Sequence, residues 1–241
     1  MTVPGAVDRG LVALVTGASR GLGRALAGAL TARGWRVVVD ARDADALAAA
    51  VATMAAPGSA IAVPGDVADR EHRRRLAEVV AEAGGLDLLV NNASALGPSP
   101  QPLLRDYPLA ALERVYAVNT FAPLALIELL LPALEASTGR VVNVSSDAAV
   151  EAYEGWGGYG SAKAALDQLT AVLAAEHERL GVYAFDPGDM ATELHQQAYP
   201  GEDISDLPSP ESVVEPLLTL VEGTLASGRY RAADLAAQPA A

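Results

Sequence analysis

Residues 11–23 read LVALVTGASRGLG, an apolar run that ends in a glycine-rich turn and continues into a segment of helical period. A strand that turns sharply into a helix needs glycine, which adopts backbone angles that other residues avoid. Glycine also lets backbone N–H groups approach a pyrophosphate, and the N-terminus of the helix favours the same anion. The glycines at 17, 21 and 23 therefore indicate a dinucleotide-binding loop, with an ordinary strand-to-helix turn as the alternative.

Outward from this loop, short apolar runs alternate with longer stretches of helical period. The predicted strands cover residues 11–16, 36–40, 60–63, 86–90, 140–144, 182–185 and 228–232. The predicted helices cover residues 21–33, 44–54, 69–83, 109–136, 159–180 and 211–225. The strand runs show no apolar–polar alternation, as expected of strands covered on both faces.

This order of elements predicts an α/β fold, a doubly wound (Rossmann) parallel sheet of about seven strands with helices on both faces. Neither a linker nor a shift in composition divides the chain, so the sequence predicts one domain over residues 1–241. Its core is expected at about residues 11–232, followed by a flexible Pro/Ala tail after residue 233.

The composition excludes several classes of function. The 241 residues carry a formal net charge of −13, which disfavours nucleic acid and an anionic membrane surface as partners. The absence of cysteine excludes disulfides and thiol catalysis. The three histidines, His72, His177 and His195, lack the spacing of metal ligands, so no metal site is expected.

The sequence also predicts where in the cell the protein is found. The N-terminus lacks the basic start and apolar stretch of a signal peptide. The apolar stretches are interrupted by Glu, Arg or Pro well short of the roughly 18 residues that a membrane-spanning helix needs. We therefore expect a cytoplasmic protein without a transmembrane helix.

Further motifs along the chain accompany the glycine-rich loop and occur in a characteristic order. The segment TGASRGLG at 16–23 is followed by NNAS at 91–94 and by YGSAK at 159–163. A serine pair at 145–146 precedes the tyrosine, and Pro187-Gly188 follows the sixth predicted strand. In these motifs and their order, the chain resembles the short-chain dehydrogenase/reductase family in its compact single-domain form, over about residues 11–232. The resemblance implies a single NAD(P)-binding domain and an oxidoreductase.

Tyr159 and Lys163 lie four residues apart at the start of a predicted helix, and hence on one face of it. Hydride transfer to a carbonyl builds negative charge on the oxygen, which needs a proton donor in place. A nearby ammonium and the positive nicotinamide favour the phenolate, so we expect the pKa of Tyr159 to be lowered. The resemblance implies that Tyr159 is the acid/base and that Lys163 also binds the nicotinamide ribose. A helix-surface pair is the alternative.

Ser146 and Asn119 complete the expected catalytic tetrad. Ser146 stands thirteen residues before Tyr159, the family's separation, and is preferred to Ser145 as the hydroxyl that polarises the substrate oxygen. Asn119 is a poor helix-interior residue within the predicted helix 109–136. The resemblance implies a local helix irregularity there, which holds a water linked to the lysine. A turn cap and a tolerated core asparagine are the respective alternatives.

Two signals for cofactor preference stand close together in the sequence VDARD at 39–43. A carboxylate at the end of the second strand binds the ribose 2′-OH of NAD, whereas an arginine accommodates the 2′-phosphate of NADP. Asp40 falls one position early and is expected to point to the other side of the pleat. Arg42 and Arg20 occupy positions at which NADP-using members are basic, and two guanidiniums can grip a phosphate. The sequence thus favours NADP(H), with NAD(H) bound through Asp40 as the alternative.

The resemblance assigns further cofactor contacts, whose alternatives are ordinary turns and helix caps. With those above, the predicted cofactor-binding residues are Gly17, Ser19, Arg20, Gly21, Leu22, Gly23, Arg42, Asp66, Val67, Asn92, Ala93, Tyr159, Lys163, Pro187, Gly188 and Thr192. Ser94 departs from the glycine that the family usually has after Ala93.

The substrate pocket of such a fold lies beyond the carboxyl ends of the strands. The stretch 189–207 is too long for a simple connector, and we expect it to form a mobile lid. An apolar wall is expected to favour an uncharged carbonyl or alcohol, whereas His195 is expected to be solvated. The wall's predicted residues are Leu96, Ala152, Tyr153, Trp156 and Met190.

The two helices that carry Asn119 and Tyr159 are apolar around much of their circumference, and the resemblance implies a homodimer or homotetramer. The sequence thus predicts an oxidoreductase that transfers a hydride between NADP(H) and a carbonyl/secondary alcohol pair. The alternatives are an NAD-linked dehydrogenase of the same fold and a non-catalytic regulatory protein that senses NADP(H).

Overall fold

In the computed structural model, residues 10–54 and 59–237 are described. Seven strands form a sheet: β1 (Val12–Val15), β2 (Arg36–Ala41), β3 (Ala60–Pro64), β4 (Leu88–Asn91), β5 (Arg140–Val144), β6 (Gly181–Asp186) and β7 (Gly228–Arg231). All neighbouring strands are parallel, and their order is β3-β2-β1-β4-β5-β6-β7. The predicted doubly wound parallel sheet is confirmed.

The helices are α1 (Gly21–Ala32), α2 (Ala44–Ala52), α3 (Arg70–Glu82), α4 (Leu109–Tyr116), α5 (Ala122–Ser137), α6 (Gly157–Glu176), α7 (Glu193–Ala198), α8 (Val214–Glu222) and α9 (Ala232–Ala236). They cover both faces of the sheet, because successive strand residues point in opposite directions. In β1, Ala13 and Val15 join the core under α1 and α8, whereas Val12 and Leu14 join the core under α3 and α5. Burial on both faces explains the uniformly apolar strands.

Three predicted element ends are wrong. Helix α6 ends at Glu176 rather than at 180, because the chain turns there and the Leu180 N–H bonds the His177 carbonyl. The helix predicted over 211–225 begins as a 3₁₀ turn, Pro210–Val213, and is α-helical only over α8. The tail does not fray at 233, because α9 buries Leu235 in the core; the tail's last residues, 238–241, lie outside the described part.

One helical stretch is long and apolar enough, by length and composition alone, to cross a membrane. Residues Leu109–Ser137 form 29 helical residues whose most apolar window has a mean hydropathy of 1.7. Half of that window is buried within the protein. Leu126, Leu130 and Leu134 pack in the core between α5 and the sheet, so this is a core helix and not a clear membrane span.

The point where strand order reverses, between β1 and β4, is held by side chains of the two loops that follow these strands. The Thr16 hydroxyl accepts the Asn92 and Ala93 N–H groups, both at 3.0 Å, and donates to the Val90 carbonyl. The Asn92 amide donates in return to the Thr16 carbonyl at 2.8 Å and the Gly17 carbonyl at 3.1 Å. This reversal creates the crevice in which open α/β sheets bind ligands.

Candidate active site

A cleft of about 1180 Å³ opens at the carboxyl edge of the sheet. It gathers residues from the loops that follow β1 to β6. The predicted site residues that line it are Gly17, Ser19, Arg20, Gly21, Leu22, Arg42, Asp66, Val67, Asn92, Ala93, Ser146, Tyr159, Lys163, Pro187, Gly188 and Thr192. Two predicted site residues, Gly23 and Asn119, do not line it.

Helix α1 presents an uncapped N-terminus to this cleft. Arg20 is the N-cap residue, but it makes no side-chain cap, and the first turn contains no acidic residue. The first-turn N–H groups of a helix have no intrahelical acceptor, and they carry partial positive charge. The donors around Gly21 and Leu22 therefore suit an anionic group in the cleft.

The other two loop glycines permit close packing behind this N-terminus. Gly17 has φ +67°, and a Cβ there would lie 2.8 Å from the Ala93 Cα. A Cβ on Gly23 would lie 2.6 Å from the Gly17 carbonyl oxygen and would overlap the Asn92 amide. Gly23 thus packs tightly behind the loop, and its predicted contact with the cofactor stays a prediction.

Asp40 supports the loop from the other side of β2. Its side chain is 2% exposed; Oδ1 accepts the Gly17 N–H at 2.8 Å, and Oδ2 lies 3.0 Å from His72 Nε2 on α3. Asp40 points toward α3, whereas Ala41 faces the opposite core, as the pleat predicts. Because each carboxylate oxygen has a partner inside the protein, Asp40 is poorly placed to bind a ribose hydroxyl.

Three arginines line the cleft, and two of them, Arg42 and Arg114, lie at the end beside β2 and β3. Arg42 is exposed and makes no hydrogen bond or ion pair within residues 10–54 and 59–237. Arg20 instead forms an ion pair with Glu193 at the start of α7, which its predicted role did not foresee. Arg114, which the sequence did not point to, pairs with Asp66.

Asp66 is therefore tied within the protein. Its Oδ1 accepts the Ala68 N–H at 2.9 Å, while Oδ2 meets the Arg114 guanidinium. Partial burial alone raises the pKa of Asp66, but the Ala68 N–H, Arg114 and the more distant Arg42 together hold that pKa below its usual value.

Tyr159 and Lys163 share one face of α6 at the opposite end of the cleft. The Lys163 side chain is buried; its Nζ donates to the Val144 carbonyl at 2.7 Å and lies 5.6 Å from the centre of the Tyr159 ring. Lys163 is also the only lysine in the sequence. The predicted juxtaposition of phenol and ammonium is thus present, one helical turn apart.

Burial dominates the ionisation of both groups. It raises the pKa of Tyr159 to about 12, with the hydroxyls of Ser94 and Ser146 opposing it, and it lowers the pKa of Lys163 to about 8. The expected lowering of the tyrosine pKa is therefore wrong for the protein by itself, because lost hydration and the nearby Asp147 and Asp186 carboxylates all disfavour the phenolate. At neutral pH the phenol holds its proton, and the lysine is mostly charged.

Ser146 begins a 3₁₀ turn, Asp147–Ala149, directly after β5. Its hydroxyl donates to Asp147 Oδ1 at 2.8 Å and accepts the Ala148 N–H at 3.2 Å. Ser145 is 2% exposed, and its hydroxyl has no hydrogen-bond partner among the described residues. Of the two serines, Ser146 is the one whose hydroxyl opposes the rise in the pKa of Tyr159, and the choice of Ser146 over Ser145 stays a prediction.

Asn119 lies in a π-helical turn, Ala117–Phe121, between α4 and α5, so the expected helix irregularity is present. Its side chain is fully buried; Oδ1 accepts the Ala95 N–H at 2.8 Å, and Nδ2 donates to the Ala95 carbonyl at 2.9 Å. Ser94 donates to the same Oδ1 at 3.4 Å. Asn119 therefore positions the segment at 94–95 and does not enter the cleft.

The segment predicted as a lid contains a short helix that the sequence did not reveal, α7, whose N-cap Thr192 accepts the His195 N–H. Its residues Leu194 and Ala198 pack against the buried group of Leu96, Ala148 and Tyr159. The prediction that His195 is solvated is wrong, because its side chain is 16% exposed and lies 3.5 Å from Asp189.

Of the predicted apolar wall, Leu96, Trp156 and Met190 line the cleft, whereas Ala152 and Tyr153 do not. Trp156 meets the Tyr159 ring edge-on, with 5.8 Å between centres. Within residues 10–54 and 59–237, no group of three His, Asp or Glu side chains is arranged to hold a metal ion.

The sequence of this chain is similar to those of known proteins over most of its length. Residues 11–203 match the family model of the short chain dehydrogenases. A rhamnolipid-biosynthesis 3-oxoacyl-[acyl-carrier-protein] reductase from Pseudomonas aeruginosa is 39% identical over 188 residues, which cover 74% of this chain and 72% of that protein.

Solved structures of similar fold superpose on nearly the whole chain. A chain of short chain dehydrogenase type from Pseudomonas syringae has a TM-score of 0.86 and 31% identity, covering 92% of this chain and 94% of that one. Another from Shigella flexneri, solved as a complex with NADP, has a TM-score of 0.85 and 27% identity, covering 92% and 97%.

The buried lysine yields a direct prediction. Because Lys163 is the only lysine, NMR of protein labelled at lysine should follow its Nζ without overlap, and we expect a midpoint near pH 8. Below pH 8 both folded and unfolded chains carry the proton. Between about pH 8 and pH 10.5, the ordinary pKa of lysine, only the unfolded chain keeps the Lys163 proton. The free energy of unfolding therefore rises with pH in this range, by up to about 1.4 kcal/mol per pH unit.

Lys163→Met provides the control, since it removes this proton and its contribution to the slope. Urea unfolding of both proteins between pH 7.5 and 10 measures the difference. A midpoint near 10.5, or parallel stability curves for the two proteins, would contradict the burial account.

Proposed function

The chain belongs to the short-chain dehydrogenase/reductase family, and we propose that it is an oxidoreductase that interconverts a carbonyl compound and a secondary alcohol with NADP(H). One observation carries the proposal. A single cleft joins an uncapped helix N-terminus and an exposed arginine, Arg42, at one end to Ser146, Tyr159 and Lys163 at the other.

The residues present fit a dinucleotide cofactor. The first-turn N–H groups of α1 suit its pyrophosphate, because no side chain caps them and Gly21 leaves the approach open. A Cβ at Gly188 would meet no atom within 4 Å, so the backbone there leaves room in the cleft. The remaining holders are those predicted: Ser19, Leu22, Arg42, Asp66, Val67, Asn92, Ala93, Tyr159, Lys163, Pro187 and Thr192, with Arg20 available once it leaves Glu193.

When bound, this cofactor supplies or accepts the hydride. Tyr159 then gives its proton to the oxygen of the carbonyl, since a phenol with a pKa of about 12 is protonated at neutral pH. The positive charge of Lys163 stabilises the phenolate that remains, and the Ser146 hydroxyl helps to hold the reacting oxygen. Asn119 acts at a distance, by fixing the backbone of Ala95 beside the site.

The preference for NADP(H) over NAD(H) rests on two side chains. Arg42 makes no hydrogen bond or ion pair within the described residues and has only a longer-range attraction to Asp66, whereas one Asp40 oxygen accepts the Gly17 N–H and the other lies 3.0 Å from His72 Nε2. The likeness to the NADP-bound structure from Shigella flexneri supports the same choice.

Replacing Tyr159 by phenylalanine tests the acid/base role. We expect kcat for ketone reduction to fall at least about a thousandfold, because the proton donor is lost, while the Kd for NADPH stays within about threefold. NADPH consumption against a panel of ketones, aldehydes and quinones measures kcat, and fluorescence titration measures Kd.

Tyr230→Phe is the matched control, since that hydroxyl bonds the Ala226 carbonyl outside the cleft. Unchanged turnover in Tyr159→Phe would overturn the assigned role. NADPH binding without turnover of any tested substrate by the wild type would favour the sensing protein instead.

Replacing Arg42 by alanine tests the cofactor choice. We expect KM for NADPH to rise about tenfold or more and KM for NADH to change less than about twofold, because only NADPH carries the phosphate. Arg24→Ala is the control, as this arginine lies on α1 but does not line the cleft. Equal effects on both cofactors would contradict the assignment.

We further propose that the protein is a homodimer or homotetramer of the cytoplasm. Phe121, Leu124 and Leu129, near or on α5, and Val172 on α6 are large apolar side chains with 41% to 58% exposure. Contiguous exposed apolar surface marks association sites, and a chain without cysteine suits a reducing compartment. Light scattering coupled to size-exclusion chromatography should give at least twice the monomer mass of 24.7 kDa; a monomer would refute this.

A further inference from the structure

The carboxylates in the catalytic half of the cleft differ in their partners. We call this half, bordered by residues 94–97, 146–159 and 186–197, the substrate end. There Asp186 pairs with Arg229 at 3.0 Å, Glu193 pairs with Arg20, and Asp189 lies 3.5 Å from His195. Asp147 has no cationic partner among the described residues.

Asp147 is held only by neutral donors. Oδ1 accepts the Ser146 hydroxyl and the Ala148 N–H, both at 2.8 Å, and Oδ2 shares the single Tyr153 hydroxyl hydrogen with Glu151, each at 3.0 Å. A carboxylate offers about four lone-pair sites, so three donors leave one on Oδ2 for a further donor. Partial burial alone raises the pKa of Asp147, but these hydrogen bonds hold it below its usual value, so the group is charged at neutral pH.

The position of the Asp147 carboxylate in the cleft decides which part of a ligand would meet its charge. Asp147 is part-buried, borders the cleft, and directly follows Ser146, which acts on the phenol of Tyr159. The one lysine is turned to the Val144 carbonyl, and Arg42 and Arg114 lie at the other end of the cleft. Arg229 donates to the Ser146 carbonyl at 2.9 Å, but its ion pairs are with Asp167 and Asp186. A ligand whose carbonyl reaches Tyr159 therefore brings its neighbouring atoms next to an unpaired anion.

Aromatic rings accompany the carboxylate. Trp156 lines the cleft beside Asp147 and packs near Tyr153, whose hydroxyl bonds Oδ2, with 6.5 Å between ring centres. A carboxylate beside aromatic rings attracts an organic cation through both charge and ring quadrupole. The same carboxylate repels an anion and leaves it without a counter-charge.

We propose that the substrate end of the cleft selects carbonyl compounds that carry a positively charged group, such as a protonated amine, close to the reacting carbonyl. Asp147 is the specificity-determining residue that receives that group. The inference rests on the proposed function, and it replaces the uncharged substrate expected from the apolar wall with a cationic one.

The test compares three methyl ketones of one aryl scaffold that carry an ammonium, a methyl or a carboxylate group at the same position. For the wild type at pH 7 and low salt, we expect kcat/KM for the ammonium ketone to exceed that for the methyl ketone about tenfold. The carboxylate ketone should fall about tenfold below the methyl ketone, since part-buried charges interact more strongly than exposed ones.

Asp147→Asn removes the charge but keeps an acceptor for Ser146 and Ala148, and we expect its three kcat/KM values to converge to within about threefold. Glu151→Gln is the matched control, because Glu151 also bonds Tyr153 but is exposed and does not line the cleft. It should keep the wild-type ranking. An equal loss for all three ketones in Asp147→Asn would assign the residue to positioning Ser146 alone and would overturn the proposal.

A binding measurement separates this inference from the proposed function. The same ketones are titrated into the NADP-loaded wild type and Asp147→Asn by calorimetry, whether or not they are reduced. Reduction of the methyl ketone without any charge ranking leaves the function standing and overturns the specificity. A charge ranking in Kd that Asp147→Asn abolishes, without turnover, supports the specificity and counts against the function.

Discussion

The Asp40 carboxylate determines how the glycine loop is presented. One oxygen receives the Gly17 N–H and the other meets His72, so the loop is fixed to β2 and to α3 at once. Buried carboxylates persist where hydrogen bonds compensate their lost hydration. Since this contact and the Thr16 bonds secure the loop from behind, the N–H groups of α1 need no capping side chain and stay free for a ligand.

The two ends of the cleft differ in how far their ionisable groups are exposed to solvent. At the end beside β2, the exposed guanidinium of Arg42 remains hydrated and available to an anion. At the end that holds Tyr159 and Lys163, burial controls ionisation: it keeps the Tyr159 phenol protonated and makes the Lys163 ammonium easier to discharge. Both effects have one cause, because a low-dielectric surrounding always disfavours the charged form.

Features that depend on a local sequence pattern were predicted from the sequence. Contacts between residues far apart in the sequence were not. The double-sided burial of strands such as β1 appears as unbroken apolar runs, and the Tyr159–Lys163 spacing places both on one helix face. No local pattern indicates that Glu193 pairs with Arg20 across 173 residues or that His72 reaches Asp40. Spacing also did not reveal that Gly23 packs tightly against Gly17 and Asn92 behind the loop.

The π-helical turn at Ala117–Phe121 has a consequence for how α4 and α5 face the rest of the molecule. Each α-helical residue advances the helix by about 100°, so one extra residue in a wider turn changes the rotational phase of everything beyond it. Val115 can thereby border the cleft while Leu126 and Leu130 still meet the sheet. Deleting one residue here would restore a regular helix and swing one of these two surfaces toward solvent.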